Sequence, residues 1–111
     1  MNINERMAIE VMGWGLVMQS KINPNTYDCY ATENGSYVMS SKDWHPDTSI
    51  EQAMICTDKW TEMSGGYCEI IRNLNISTVS LYWNGDCLYS VNKPETALAI
   101  CEAILKAVGE K

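Results

Sequence analysis

Residues 92–109 read NKPETALAICEAILKAVG, and this stretch constrains the fold more than any other. Ala97, Ile100, Cys101, Ile104, Leu105 and Val108 recur at three- and four-residue spacing, which lines one face of an α-helix. Asn92 and Glu95 have the spacing of a capping box. In it the Asn92 side chain accepts a first-turn N–H, and Glu95 reaches back to the Asn92 N–H. Pro94 falls in the first turn, where its missing N–H is not needed. Gly109 suits the left-handed residue that ends a helix. A helix with one apolar stripe has to be covered, so the rest of the chain must supply an apolar surface.

That surface is expected from short strands. Ile3, Met7, Ala8, Val11 and Met12 share a helical face, with Asn2 and Glu5 as a second capping box and Gly13 as the stop. Residues 14–20, carrying Leu16, Val17 and Met18, look like a short strand, and Asn23-Pro24-Asn25 like a turn. Residues 27–32 and 36–40 lean to β structure, and Asn34-Gly35 between them is a two-residue hairpin signal. A loop over 41–47 feeds a second helix capped by Thr48 or Ser49, with Ile50, Ala53, Met54, Thr57 and Trp60 inward and Gly65-Gly66 as its stop. Strands at 67–72, 78–83 and 87–91 follow, the last two joined by Asn84-Gly85-Asp86. The order is α-β-β-β-α-β-β-β-α. Short turns between successive strands imply antiparallel pairing. The expectation is one α+β domain over residues 1–111, an antiparallel sheet with three amphipathic helices packed on its faces.

Such a domain has enough chain to bury a core unaided: 111 residues, 46% of them hydrophobic, correspond to roughly two-thirds of the unfolded surface removed from water. With no Phe, the large apolar volume falls to Trp, Tyr and Met. No apolar run is long enough to span a bilayer, and MNINERMAIE lacks the apolar core of a signal peptide. Cys29, Cys56, Cys68, Cys87 and Cys101 are odd in number and widely spaced, which reads as reduced, mostly buried thiols in a cytosolic protein. Eight Lys and Arg against fourteen Asp and Glu give a net charge of −6. That argues against non-specific DNA or RNA binding, which depends on neutralising phosphates. A small phosphorylated ligand held by one or two local cations stays compatible with it.

Catalytic constellations are sparse. His45, the one histidine, lies in a polar loop between Trp44 and Pro46 and reads as an exposed loop residue. The cysteines lack the close pairs that a zinc site uses. No phosphate-binding glycine motif occurs. The expectation is a non-enzymatic protein without metal or cofactor. Aromatic, amide and cationic side chains at element ends are more informative: Tyr82, Trp83 and Asn84 at a hairpin, Trp44 and Lys42 before the second helix, Arg72 at a strand end, and Asn92. A nucleotide needs an aromatic face for its base, an amide for the base edge and a cation for phosphate. The plain structural alternative is Trp83 in the core, Tyr82 on the surface, and Lys42 and Arg72 in solvent.

Three segments together resemble one family. NERMAIEVMGW (4–14) resembles its opening helix and M-G-W stop. WHPDTSIEQAM (44–54) resembles its W-x-P-S-T-D-I…A-W segment. TALAICEAILKAVG (96–109) resembles its T-x-x-A-I-C-x-A-x-L-K-A ending. The family is the phage ABA-sandwich domain, which includes the Thoeris anti-defence proteins of the first type. The resemblance implies a nucleotide sponge in the host cytoplasm. It would sequester cyclic ADP-ribose isomers made by TIR enzymes, with cyclic oligonucleotides as a further ligand class, in a homo-oligomer (dimer or hexamer) with pockets between subunits. By that resemblance Asn84, after Tyr82-Trp83, sits at the ligand-contacting strand end. The family often has Arg directly after A-I-C, a phosphate clamp; here the position is Glu102, so the cation would come from Lys42, Arg72 or Lys93. Met54 stands where many relatives have Trp. The second reading of the chain is an acidic phage protein–protein inhibitor without a small ligand, motivated by the −6 charge and Glu102.

Overall fold

The structure is a computed structural model that describes residues 1–17 and 28–109. The second half of the strand expected at 14–20, the Asn23-Pro24-Asn25 turn and the start of the strand expected at 27–32 lie outside the described residues. The chain opens with helix α1 (Ile3–Arg6), which runs directly into a π-helical turn, Met7–Val11. The Asn2 side chain accepts the Glu5 N–H at 2.9 Å, the cap expected there, whereas the Glu5 carboxylate meets the Asn2 side-chain amide at 3.4 Å instead of its backbone N–H. Met7, Ala8 and Val11 are buried by this turn.

Strands β1 (Gly15–Val17), β2 (Cys29–Ala31) and β3 (Tyr37–Ser40) form a three-stranded antiparallel sheet in the order β1-β2-β3. The β2–β3 hairpin differs from the two-residue turn expected at Asn34-Gly35. The Gly35 N–H donates to the Thr32 carbonyl, and the Thr32 N–H donates to the Ser36 carbonyl. Gly35 has φ +88°, whereas Asn34 does not enter the left-handed region. Glu33 and Asn34 are therefore the central residues of an ordinary turn closed by one left-handed glycine, the three-residue solution.

A short 3-10 turn, Ser41–Asp43, leads to helix α2 (Ile50–Ser64). Ser49 is the cap, its hydroxyl accepting the Gln52 N–H at 3.2 Å; the Thr48 hydroxyl turns back to the His45 carbonyl instead. Helix α2 buries Ala53, Cys56, Thr57 and Trp60. Ile50 and Met54, expected inside, are exposed, and Cys56 takes their place. The helix is covered mainly by another helix and by the π turn, and a helix covers a narrower stripe than a sheet does.

The second half holds β4 (Tyr67–Arg72), β5 (Ser77–Trp83) and β6 (Asp86–Lys93), an antiparallel sheet in the order β4-β5-β6. The six described strands thus form two sheets of three, not one continuous sheet. At the β5–β6 hairpin Asn84 and Gly85 have φ +55° and +87° between the paired residues Trp83 and Asp86. This is the two-residue turn whose twist matches its strands. Helix α3 (Thr96–Gly109) begins three residues later than the capping box implied. Asn92 and Lys93 are instead paired with Thr78 and Ser77 in the sheet, and the Asn92 carboxamide oxygen accepts from the Thr78 hydroxyl at 2.6 Å. Cross-strand pairing has claimed the residue that would have capped the helix.

Helix α3 contacts β5, β6, α2 and the π turn. It buries Ala97, Ala99, Ile100, Cys101, Ala103, Ile104 and Leu105. These join Val79 and Leu81 of β5 and Val91 of β6 in one core. Burying Ile100, Ile104 and Leu105 contributes about 1.5–3 kcal/mol each relative to exposure. Without Phe, the first half closes on an aromatic group. The Trp14 ring lies 4.8 Å from Trp44, edge-on, and 6.1 Å from Tyr30.

Candidate functional site

The residues selected from sequence fall into separate places. Trp44 is only 2% exposed, and its indole N–H donates to the Asn4 carbonyl at 2.9 Å. It is a core residue here, a correction to its expected role as an accessible stacking face. Lys42 lies in the 3-10 turn at the surface. Arg72 ends β4, and its register partner across β5 is Ser77, which pairs on to Lys93. Tyr82, Trp83 and Asn84 sit at the opposite end of the same sheet. Asn92 is six residues from Asp86 along β6, about 20 Å at 3.3 Å per residue. No single small ligand on one subunit reaches both ends.

The hairpin end is an aromatic ledge. Tyr82 stacks on Tyr67 with ring centroids 4.8 Å apart and planes 7° from parallel. Trp83 is half exposed and donates its indole N–H to the Ser64 carbonyl at 3.0 Å. Asn84 forms the turn itself. This ledge has an aromatic face but the wrong charge for phosphate. The Tyr82 hydroxyl is pushed up from its ordinary pKa, chiefly by the Glu69 carboxylate. A phosphate about 5 Å from a carboxylate is repelled by about 3 kcal/mol at an effective dielectric near 20.

The other end holds a cleft of about 780 Å³, walled by the α1 segment, the edge strand β6 and helix α3. Its volume is in the range of small-molecule sites, roughly 300–1,000 Å³. Ile3, Val91 and Leu105 give it an apolar wall, and the strand edge at Ser90 and Asn92 borders it. Arg6, Lys93 and Lys106, three of the chain's eight cations, line it. Among the described lining residues the one carboxylate is Glu102. Lys93 Nζ lies 3.4 Å from Glu102 Oε2, and Arg6 Nε lies 2.7 Å from Glu10 Oε2. Arg6 holds the Glu10 carboxyl below its usual range, mainly through that hydrogen bond. Lys106 stands one turn beyond Glu102 and offsets the partial negative charge of the helix end.

Of the expected residues, only Asn92 lines this cleft, together with Lys93, one of the three cations offered in place of the family's Arg. Arg6 and Lys106 were missed. The available signal was the Glu102–Lys106 spacing of four, which puts both on one face of α3. His45 is held in the loop before α2: its N–H donates to Gln52 Oε1 at 2.6 Å, and its Nδ1 lies 3.3 Å from the Thr48 hydroxyl. None of the five cysteines is disulfide-bonded; Cys56 and Cys101 are buried, Cys29 and Cys68 partly so, and Cys87 is exposed. The exposed Cys87 is the departure from the mostly buried thiols expected. Among the described residues no His, Cys, Asp and Glu group is arranged to hold a metal ion, and no helix is long and apolar enough to cross a membrane. Comparison with protein-family models, curated proteins and solved structures gives no match.

Proposed function

We propose that the chain is a non-enzymatic phage anti-defence protein that binds and sequesters a cyclic ADP-ribose-type signal, with cyclic oligonucleotides as a second ligand class, in the host cytoplasm. The three-segment resemblance supports the ligand class. The observation that carries the binding reading is the cleft, where Arg6, Lys93 and Lys106 gather in a chain of net charge −6. Three cations around an apolar wall suit a molecule with a phosphate end and an apolar end. Sequestration asks for affinity, not a nucleophile. In this reading the helices cover the inner faces of the sheets, and the outer faces are left for contacts between subunits of a homo-oligomer.

The test is thermal or urea stability with and without cyclic ADP-ribose isomers and cyclic di- and trinucleotides. A ligand at a hundred times its Kd adds about 2.7 kcal/mol of stability. Recovery of the ligand unchanged from the denatured complex is expected for a sponge, and a cleaved product would make the protein an enzyme. No shift with any of these nucleotides would remove the sponge reading and leave the acidic protein-binding one.

A further inference from the structure

We propose that the cleft between α1, β6 and α3 is the pyrophosphate-binding part of this site, and that Glu102 limits its affinity by holding Lys93 when the cleft is empty. The ligand class rests on the nucleotide reading above; the place rests on the following geometry.

Cations in this chain are few, and their clustering is specific. The described lining carries Arg6, Lys93 and Lys106 against Glu102, and Glu10, outside the lining, holds Arg6 at 2.7 Å, so the local excess is one positive charge. The hairpin end, with Glu69 beside Tyr82, has the opposite sign. A polyanion is therefore drawn to the cleft rather than to the ledge. Arg6 brings a planar guanidinium and the two lysines bring compact ammonium groups, a combination suited to neighbouring phosphates. β6 is an edge strand, so alternate backbone N–H groups along it face away from β5 and add neutral donors. Ser90 and Asn92 alternate with Val91 and Lys93 along β6, so their side chains face the other side of the sheet, where they meet Ser80 and Thr78, and they border the cleft along the strand edge. The apolar wall of Ile3, Val91 and Leu105 continues from these groups and suits a ribose or base face.

The pairing with Glu102 is what makes the site adjustable. Lys93 and Glu102 meet at 3.4 Å with both side chains partly exposed. An incoming phosphate and the Glu102 carboxylate compete for one ammonium group. The carboxylate also stays nearby after the exchange, as a like charge. Loss of the Glu102 charge frees Lys93 and removes that repulsion together, so the charge opposes binding twice.

The test is titration calorimetry with sodium pyrophosphate and with ADP-ribose on the intact chain, at low and at physiological salt. Circular dichroism establishes the fold of each variant. Pyrophosphate is expected to bind with an affinity that falls as salt rises. Glu102→Gln is expected to tighten it several-fold. Lys93→Met and Lys106→Met are each expected to weaken it about tenfold, while Lys59→Met on α2, which removes an equal charge outside the cleft, leaves it unchanged. Equal affinity for wild type, Lys93→Met and Lys106→Met, or weaker binding by Glu102→Gln, overturns the proposal. The two readings fail separately. A cyclic nucleotide that binds equally well to the Lys93→Met/Lys106→Met variant overturns the cleft and keeps the sponge. Pyrophosphate binding with this variant pattern, but no cyclic nucleotide binding, keeps the cleft and removes the sponge.

Discussion

The indole N–H of Trp83 donates to the carbonyl of Ser64 at 3.0 Å, which ties the end of β5 to the last turn of α2. Carbonyls of a last helical turn lack intrahelical partners, so a side-chain donor there is stabilising. Trp83→Phe keeps most of the ring and removes the donor. It should cost about 1 kcal/mol, the usual net value of one such bond, measured by urea unfolding. Unchanged stability would mean that water replaces the indole without loss. Trp83→Ala separates two roles for the ring: a drop in nucleotide affinity larger than the drop in stability marks a stacking face, and the reverse marks a packing residue.

Gly66 lies at the same junction, and its missing side chain is required. A Cβ there would come within 2.6 Å of Trp60 Cη2 and would strike the Tyr82 carbonyl oxygen. Trp60 is 3% exposed and has no room to swing away, and Tyr82 is held in the sheet. Gly66→Ala should therefore destabilise the protein by about 1–3 kcal/mol, the usual cost of overpacking. Gly15→Ala is the control, because a Cβ at that position meets nothing within 4 Å. Equal melting temperatures for the two variants would show that the α2–β4 junction yields.

How much of this was legible in the sequence depended on how local the cause was. The Asn2 cap, the turn at Asn84-Gly85 and the apolar stripe of α3 are set by residues within a turn of one another, and all three occur where they were expected, although Asp86, read as part of the turn, pairs with Trp83 in β6. Asn92 shows the limit. It has every local property of a helix cap, yet Thr78, fourteen positions away, holds it in β6. The split into two sheets and the outward placement of Ile50 and Met54 also depend on partners distant in sequence. The same holds for the site. Trp44 stands beside Lys42 in sequence, but it packs edge-on against Trp14 and is only 2% exposed, a contact that no spacing rule reveals. Arg6, Lys93 and Lys106 come from three different elements and meet only because α3 lies between α1 and β6.

The buried thiols give the protein an alkaline weakness. Burial pushes Cys56 up to about 12 and Cys68 up to about 11, and raises Cys101 further still. Burial favours the neutral thiol, so the folded pKa lies above the unfolded one. The stability from this source is complete below the unfolded pKa, about 8.5. It declines as the unfolded chain ionises and is gone once pH passes the folded value. Between pH 8 and 10 each thiol should contribute a loss of about 2 kcal/mol. Urea midpoints across that window should fall, and Cys56→Ala should flatten the slope although it lowers stability at pH 7. Identical slopes for wild type and variant would place the alkaline loss on other groups.

Ser77 and Thr96 share a buried hydroxyl-to-hydroxyl bond that joins the start of β5 to the start of α3. Ser77 is 1% exposed and Thr96 7%, so neither has water as an alternative partner. Thr96→Val keeps the volume and leaves the Ser77 hydroxyl buried and unpaired, a loss of about 1–3 kcal/mol. Ser77→Ala should do the converse to Thr96. The double variant removes both polar groups, so it should lose less than the sum of the two single changes. A double-mutant cycle in urea measures that coupling directly. Strict additivity would show that the two hydroxyls stabilise the β5–α3 junction independently and that the bond itself adds nothing.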